Sequence, residues 1–125
     1  MDRSTLVSID LNEGAEVVSA LENGGVHVKV ALWMVTPQYE DGRLIIASED
    51  LPQNEILVDY EKVVAILQGK FFRTLPLFSI LRMDDPLIQD LRKRFGNTKS
   101  VQGMRLGGQV IGNKYIEDAY VYKIE

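Results

Sequence analysis

A chain of 125 residues has the length of one domain, and at that size roughly two-thirds of the unfolded surface is buried without a disulfide or metal staple. The composition, 46% hydrophobic and 26% charged with a net charge of −4, is ordinary globular usage and excludes a disordered chain. There is no cysteine and one histidine, His27, which excludes disulfides, thiolate metal sites, a cysteine nucleophile and any zinc site needing two histidines of one chain.

The first predicted element is a helix reaching Asn23. Val7, Leu11, Gly14, Val18 and Leu21 fall on one helical stripe. Asp10 or Asn12 would cap a shorter version, and Gly24-Gly25 ends it. Val26 to Thr36 reads as a strand by alternation. Val26, Val28, Val30, Leu32 and Met34 take one face, buried; His27, Lys29, Ala31, Trp33 and Val35 take the other, partly exposed. Pro37 ends the strand or places it at an edge. Asp41-Gly42 is a turn signal, after which Arg43 to Ala47 returns as a second strand.

A connection with Pro52 leads to a second helix. Asp59 is its expected N-cap, Tyr60, Val63, Val64 and Leu67 its apolar face, and Gly69 its stop. Leu77 to Arg82 is apolar on both faces and reads as a buried central strand. Asp85-Pro86 opens a third helix, with Leu87, Ile88, Leu91 and Phe95 inward and Gly96 as the stop. The chain closes on a hairpin turning at Gly112-Asn113, two residues that tolerate positive φ. That turn pairs Ile111 with Lys114, Gly107 with Asp118 and Arg105 with Tyr120. The expected fold class is α+β, one mixed, mainly antiparallel sheet of about five strands with two or three helices, in the order α-β-β-α-β-α-β-β, as a single domain over residues 1–125. The helices are expected largely on one side of the sheet.

The segments Val30-Ala31-Leu32-Trp33, Gly42-Arg43-Leu44-Ile45-Ile46-Ala47, Asp84-Asp85-Pro86-Leu87 and Ile116-Glu117-Asp118-Ala119-Tyr120 together resemble a group of short, uncharacterised prokaryotic proteins of about this length. The resemblance spans residues from about 20 to the end. Its motifs are not specific to any chemistry, so it implies no activity, cofactor or site residue.

The apolar stretch at the N-terminus is too short and interrupted for a signal peptide, and the longest apolar run, Val30 to Val35, is far short of a membrane span. A cytoplasmic chain with no membrane association is expected. Charge is uneven: residues 1–68 hold four basic and twelve acidic residues, and residues 69–125 hold ten basic and six acidic. That asymmetry fits an anionic partner or head-to-tail association, or simply two halves interleaved in one fold.

Several clusters invite a chemical reading. Gly103, Gly107, Gly108 and Gly112 lack any phosphate-loop spacing and precede no helix, so a bulged strand explains them. Arg105, Asp118 and Tyr120 share a face of the hairpin, as a polar site or as a cross-strand ion pair. Asp84 and Asp85 suggest a magnesium site with Asp90 or Glu117, but Asp85 before Pro86 is better explained as a cap. His27, Lys29 and Trp33 form a candidate interaction face, the alternative being Trp33 packed under a helix. Arg92, Lys93 and Arg94 are a candidate anion contact, yet no aromatic residues interleave with them and basic residues also complement a helix C-terminus.

No constellation unites nucleophile, base and stabiliser, so no catalytic residue is assigned, and neither a metal nor another cofactor is expected. The leading reading is a noncatalytic protein-interaction or accessory protein that self-associates. A small-molecule or metal-dependent enzyme centred on Arg105, Asp118 and Tyr120 is the alternative. A nucleic-acid binder using Arg92, Lys93 and Arg94 is the third; nucleic acid is not the expected partner.

Overall fold

The computed structural model describes residues 8–37, 39–51, 56–67, 78–98 and 101–125. Pro52, Gly69 and Leu77, and with them the expected connection, helix stop and strand start, lie outside the described residues.

Helix α1 spans Ser8–Asn23, so Asp10 and Asn12 lie inside it and cap no shorter version. Its end is a Schellman closure: Gly25 has φ 95°, its N–H donates to Glu22 O at 3.2 Å, and the Val26 N–H donates to Leu21 O at 2.9 Å. Gly14 lets α1 settle onto the sheet, because a Cβ there would overlap the Tyr122 hydroxyl and the Trp33 ring nitrogen. The Tyr122 hydroxyl donates to Leu11 O at 2.6 Å, fixing that approach.

Strands β1 (Val30–Thr36) and β2 (Tyr39–Ala47) form the first hairpin. The expected Asp41-Gly42 turn is instead part of β2: the chain has already reversed where Thr36 pairs with Tyr39, and a register irregularity separates that pair from Met34–Arg43. Helix α2 (Ile56–Leu67) crosses to β3 (Phe78–Leu81), which runs parallel to β2. Asp59 is not the N-cap; it sits buried in the first turn, where a carboxylate complements the positive end of the helix dipole. Helix α3 (Pro86–Phe95) starts as its sequence dictates, with Asp85 at the cap accepting the Leu87 N–H at 2.9 Å.

The remaining strands are β4 (Arg105–Leu106), β5 (Gln109–Ile111), β6 (Lys114–Ile116) and β7 (Asp118–Ile124). The register expected from the Gly112-Asn113 turn holds on both sides of a break, though Gly107 and Asp118 form no ladder pair: Ile111 pairs with Lys114, Val110 with Tyr115, Leu106 with Ala119 and Arg105 with Tyr120. Gly112 and Asn113 both have positive φ, 55° and 71°, as a two-residue primed turn requires. The strands are nonetheless interrupted near Gly107 and Glu117, so that β5 and β6 form a separate two-stranded sheet.

The main sheet has five strands in the order β3-β2-β1-β7-β4, antiparallel except for β2 and β3. The fold is therefore α+β with a mixed sheet and the expected order of elements. Two placements differ from expectation. The β3 strand is an edge, not the centre; β1 holds the centre. The helices are not largely on one side. Helices α1 and α2 cover Ala31, Trp33, Val35, Leu44 and Ile46, whereas α3 and the β5–β6 hairpin cover Val30, Leu32, Met34 and Ile45. All seven residues of β1 are buried for that reason. The alternation also changes phase before the strand begins. Val26 and Val28 belong to the same core layer as Trp33, because Lys29 forms a bend whose N–H donates to Ala47 O and whose carbonyl accepts from Glu125 N–H.

Candidate functional site

Arg105, Asp118 and Tyr120 are brought together by β4 and β7. The Arg105 guanidinium forks onto Asp118, with Nη2 to Oδ2 at 2.6 Å and Nε to Oδ1 at 3.3 Å. Tyr120 packs edge-on against Tyr122, their ring centres 5.3 Å apart. Opposite Asp118, Gly107 approaches so closely that a Cβ would lie 2.9 Å from Glu117 O. A side chain at position 107 is thus excluded by neighbouring backbone. The arrangement is a cross-strand ion pair.

The face expected at His27, Lys29 and Trp33 does not form. Trp33 is 1% exposed, enclosed beneath α1, because both sides of β1 are covered. His27 and Lys29 lie beyond the end of the strand and join a charged network there. His27 Nε2 is 3.2 Å from Glu125 Oε1, and Lys29 Nζ is 3.9 Å from the same oxygen. Lys123 Nζ contacts Glu125 and Glu22, each at 2.7 Å. Burial opposes the charge on Lys123, but its hydrogen bonds to Glu125 and Glu22 outweigh this and raise its pKa above the ordinary lysine value. The Lys123 hydrogen bond, with a smaller one from His27, holds Glu125 below the usual carboxylate range. Sequence reasoning found His27 and Lys29 but missed Glu22, Lys123 and Glu125. The pairing of Val30 with Ile124 is what gathers them.

The basic run at the end of α3 is largely engaged in structure. Arg92 Nε donates to Glu125 O at 2.6 Å. Arg94 Nε pairs with Asp90 at 2.9 Å, one helical turn back, and its Nη2 donates to Val110 O at 3.3 Å. Asp90 also accepts the Gly112 N–H at 2.9 Å, so one carboxylate fastens both the helix side chain and the hairpin turn. That backbone hydrogen bond, followed by the one from Arg94, lowers the Asp90 pKa. Lys93 is exposed.

Asp84 and Asp85 do not act as a pair. Arg82 forks onto Asp84 at 2.9 and 3.0 Å, while Asp85 caps α3. Ser48, Glu49, Arg82, Met83 and Asp84 line a cavity of about 270 Å³ beyond the carboxyl ends of β2 and β3. Ligands favour that position in open parallel sheets, but its Ser48 hydroxyl donates to His27 O and also accepts the Asp50 N–H, which leaves no activated nucleophile. Among the described residues no three His, Asp or Glu side chains gather as a metal-ligand set.

Among the described residues, large apolar side chains reach solvent in two places. On α2, Leu57 is 74% exposed, Val58 53% and Val64 48%. On the hairpin, the cross-strand neighbours Val110 and Tyr115 are exposed together.

The molecule is thus an α+β chain with a mixed five-stranded sheet covered on both faces, and among the described residues no helix is long and apolar enough to cross a membrane. Comparisons with family models, with curated proteins and with solved structures return no match to this chain.

Proposed function

We propose that the chain is a noncatalytic interaction or accessory protein, a single cytoplasmic domain that associates with a second copy of itself through the outer face of α2. The observation that carries this reading is the exposure of Leu57, Val58 and Val64 on a helix whose opposite side already fills the core with Val63 and Leu67. Neither core cluster of the described residues includes Leu57, Val58 or Val64, and burying them against a partner contributes about 25 cal/mol per Å². Glu61 and Lys62 are exposed on the same helix between the apolar positions. In two copies of α2 packed antiparallel about a twofold axis centred between these two residues, Glu61 of each would face Lys62 of the other. The pairing of Arg105 with Asp118 is in keeping with this reading, since a cross-strand ion pair needs no ligand.

Light scattering on the purified chain at micromolar concentration tests this. The expected result is a dimer mass, and a monomer mass for the double variant Leu57→Glu, Val64→Glu with an unchanged circular dichroism spectrum. A monomer in the parent chain across that range overturns the proposal, as does a dimer that survives the double substitution.

A further inference from the structure

Helix α1 ends on Asn23, and the next residue is Gly24. Asn12, Asn54, Asn97 and Asn113 are followed by Glu13, Glu55, Thr98 and Lys114; Asn23 alone of the asparagines precedes a glycine. An asparagine side chain is attacked most readily when the next residue is glycine, because no Cβ hinders the approach of the following main-chain nitrogen. Asn23 and Gly24 are both exposed, so water reaches them.

The reaction needs no reagent but water. The Gly24 nitrogen loses its proton and bonds to the side-chain carbonyl carbon of Asn23. The bond from that carbon to the side-chain nitrogen breaks, and ammonia leaves carrying the proton. Water then opens the cyclic imide at either carbonyl, giving aspartate or isoaspartate.

The fold opposes the first step. The Gly24 N–H donates to Ala20 O at 2.9 Å and to Leu21 O at 3.1 Å, and the next two N–H groups, of Gly25 and Val26, are tied to Glu22 O and Leu21 O. A hydrogen-bonded amide gives up its proton only when the bond opens. This closure rests on Gly25 at φ 95°, a conformation that costs a residue with a Cβ. It also lies at the end of a helix, where local opening is most frequent.

We infer that Asn23 is the site of spontaneous deamidation in this chain, and that opening of the α1 closure sets its rate. The products disturb the same junction. Aspartate places a carboxylate at the negative end of the α1 dipole. Isoaspartate inserts an extra main-chain carbon before Gly24, which packs so closely on α2 that a Cβ there would lie 2.6 Å from Ile66 Cγ2. The inference is independent of self-association, since the reaction needs neither a partner nor the outer residues of α2.

The test is incubation of the full chain at mildly alkaline pH, folded and in guanidinium chloride, followed by peptide mass mapping. Asn23 should be the first asparagine to convert in both conditions, at least about fivefold more slowly in the folded chain. Gly25→Ala loosens the closure without filling space, because its Cβ would meet nothing within 4 Å while its φ is strained. That variant should convert Asn23 at least about threefold faster than the parent when folded, and at the parent's rate in guanidinium chloride. Earlier conversion of another asparagine, a smaller gap between folded and unfolded rates, or a smaller rise in Gly25→Ala overturns the inference. If Gly25→Ala fails to fold, amide hydrogen exchange of the parent decides: a protected Gly24 N–H is expected, and an unprotected one overturns the role of the closure.

Discussion

Helices α2 and α3 lie over opposite faces of the same sheet, yet they use their surfaces differently. In α3 the apolar residues Leu87, Ile88 and Leu91 are buried, and the polar residues around them are engaged: Asp85 with the cap, Asp90 with the hairpin, Arg92 with the end of β7 and Arg94 with Asp90. In α2 the apolar residues run nearly all round, and Leu57, Val58 and Val64 are left in solvent. A helix with polar residues opposite its apolar stripe declares its buried face. A helix apolar on most sides does not, which is why Val64 reads from sequence as core but lies outside. The first pattern completes a fold, and the second leaves apolar surface in solvent.

The sharpest way to break this comparison is to truncate one residue from each helix. Leu91→Ala should cost about 3 kcal/mol in urea unfolding, since a fully buried leucine leaves a cavity behind it. Val64→Ala should stay within about 0.5 kcal/mol when measured on the monomer. Equal losses would mean that the outer side of α2 supports the core no less than the inner side of α3, and would remove it as an interface.

A smaller effect is expected at the start of α3. Asp85→Ala should destabilise by about 1 kcal/mol, the usual worth of a helix cap, with Asp85→Asn retaining most of it. A loss well beyond that would show Asp85 holding more than its own helix.

The smallest effect concerns acid. Asp90 is more acidic in the fold than in the unfolded chain, through the Gly112 N–H and then Arg94. A carboxyl depressed in this way stabilises fully above its unfolded pKa, and the contribution is lost as pH falls through the folded value. The urea midpoint of the parent chain should therefore fall more steeply below about pH 4 than that of Asp90→Asn. Parallel profiles would show that the hairpin turn does not depend on the charge of Asp90.

The parts of the molecule legible from sequence are those decided by chemistry within a few residues. The Asp85-Pro86 start of α3 and the Gly24-Gly25 end of α1 are of this kind. So is the Gly112-Asn113 turn, whose register propagates far enough to set Arg105 beside Asp118. The Asp41-Gly42 pair carries the same local signal and misleads, because the strand reverses before it and the glycine is absorbed within β2. Trp33 and its strand mislead for another reason. Alternation implies one open face, whereas a strand at the centre of a doubly covered sheet is buried on both.

By itself, then, the sequence determined the order of elements, two helix boundaries and the last hairpin's register, because each rests on backbone conformations and hydrogen bonds that neighbours in the chain impose. Only the tertiary structure decided that β1 is central and β3 an edge, and that α3 lies across the sheet from α1 and α2. It also decided that His27 meets Glu125 across 98 positions and Glu22 meets Lys123 across 101. Those meetings depend on which faces must be hidden from water at once, a condition that belongs to the whole chain and to no stretch of it.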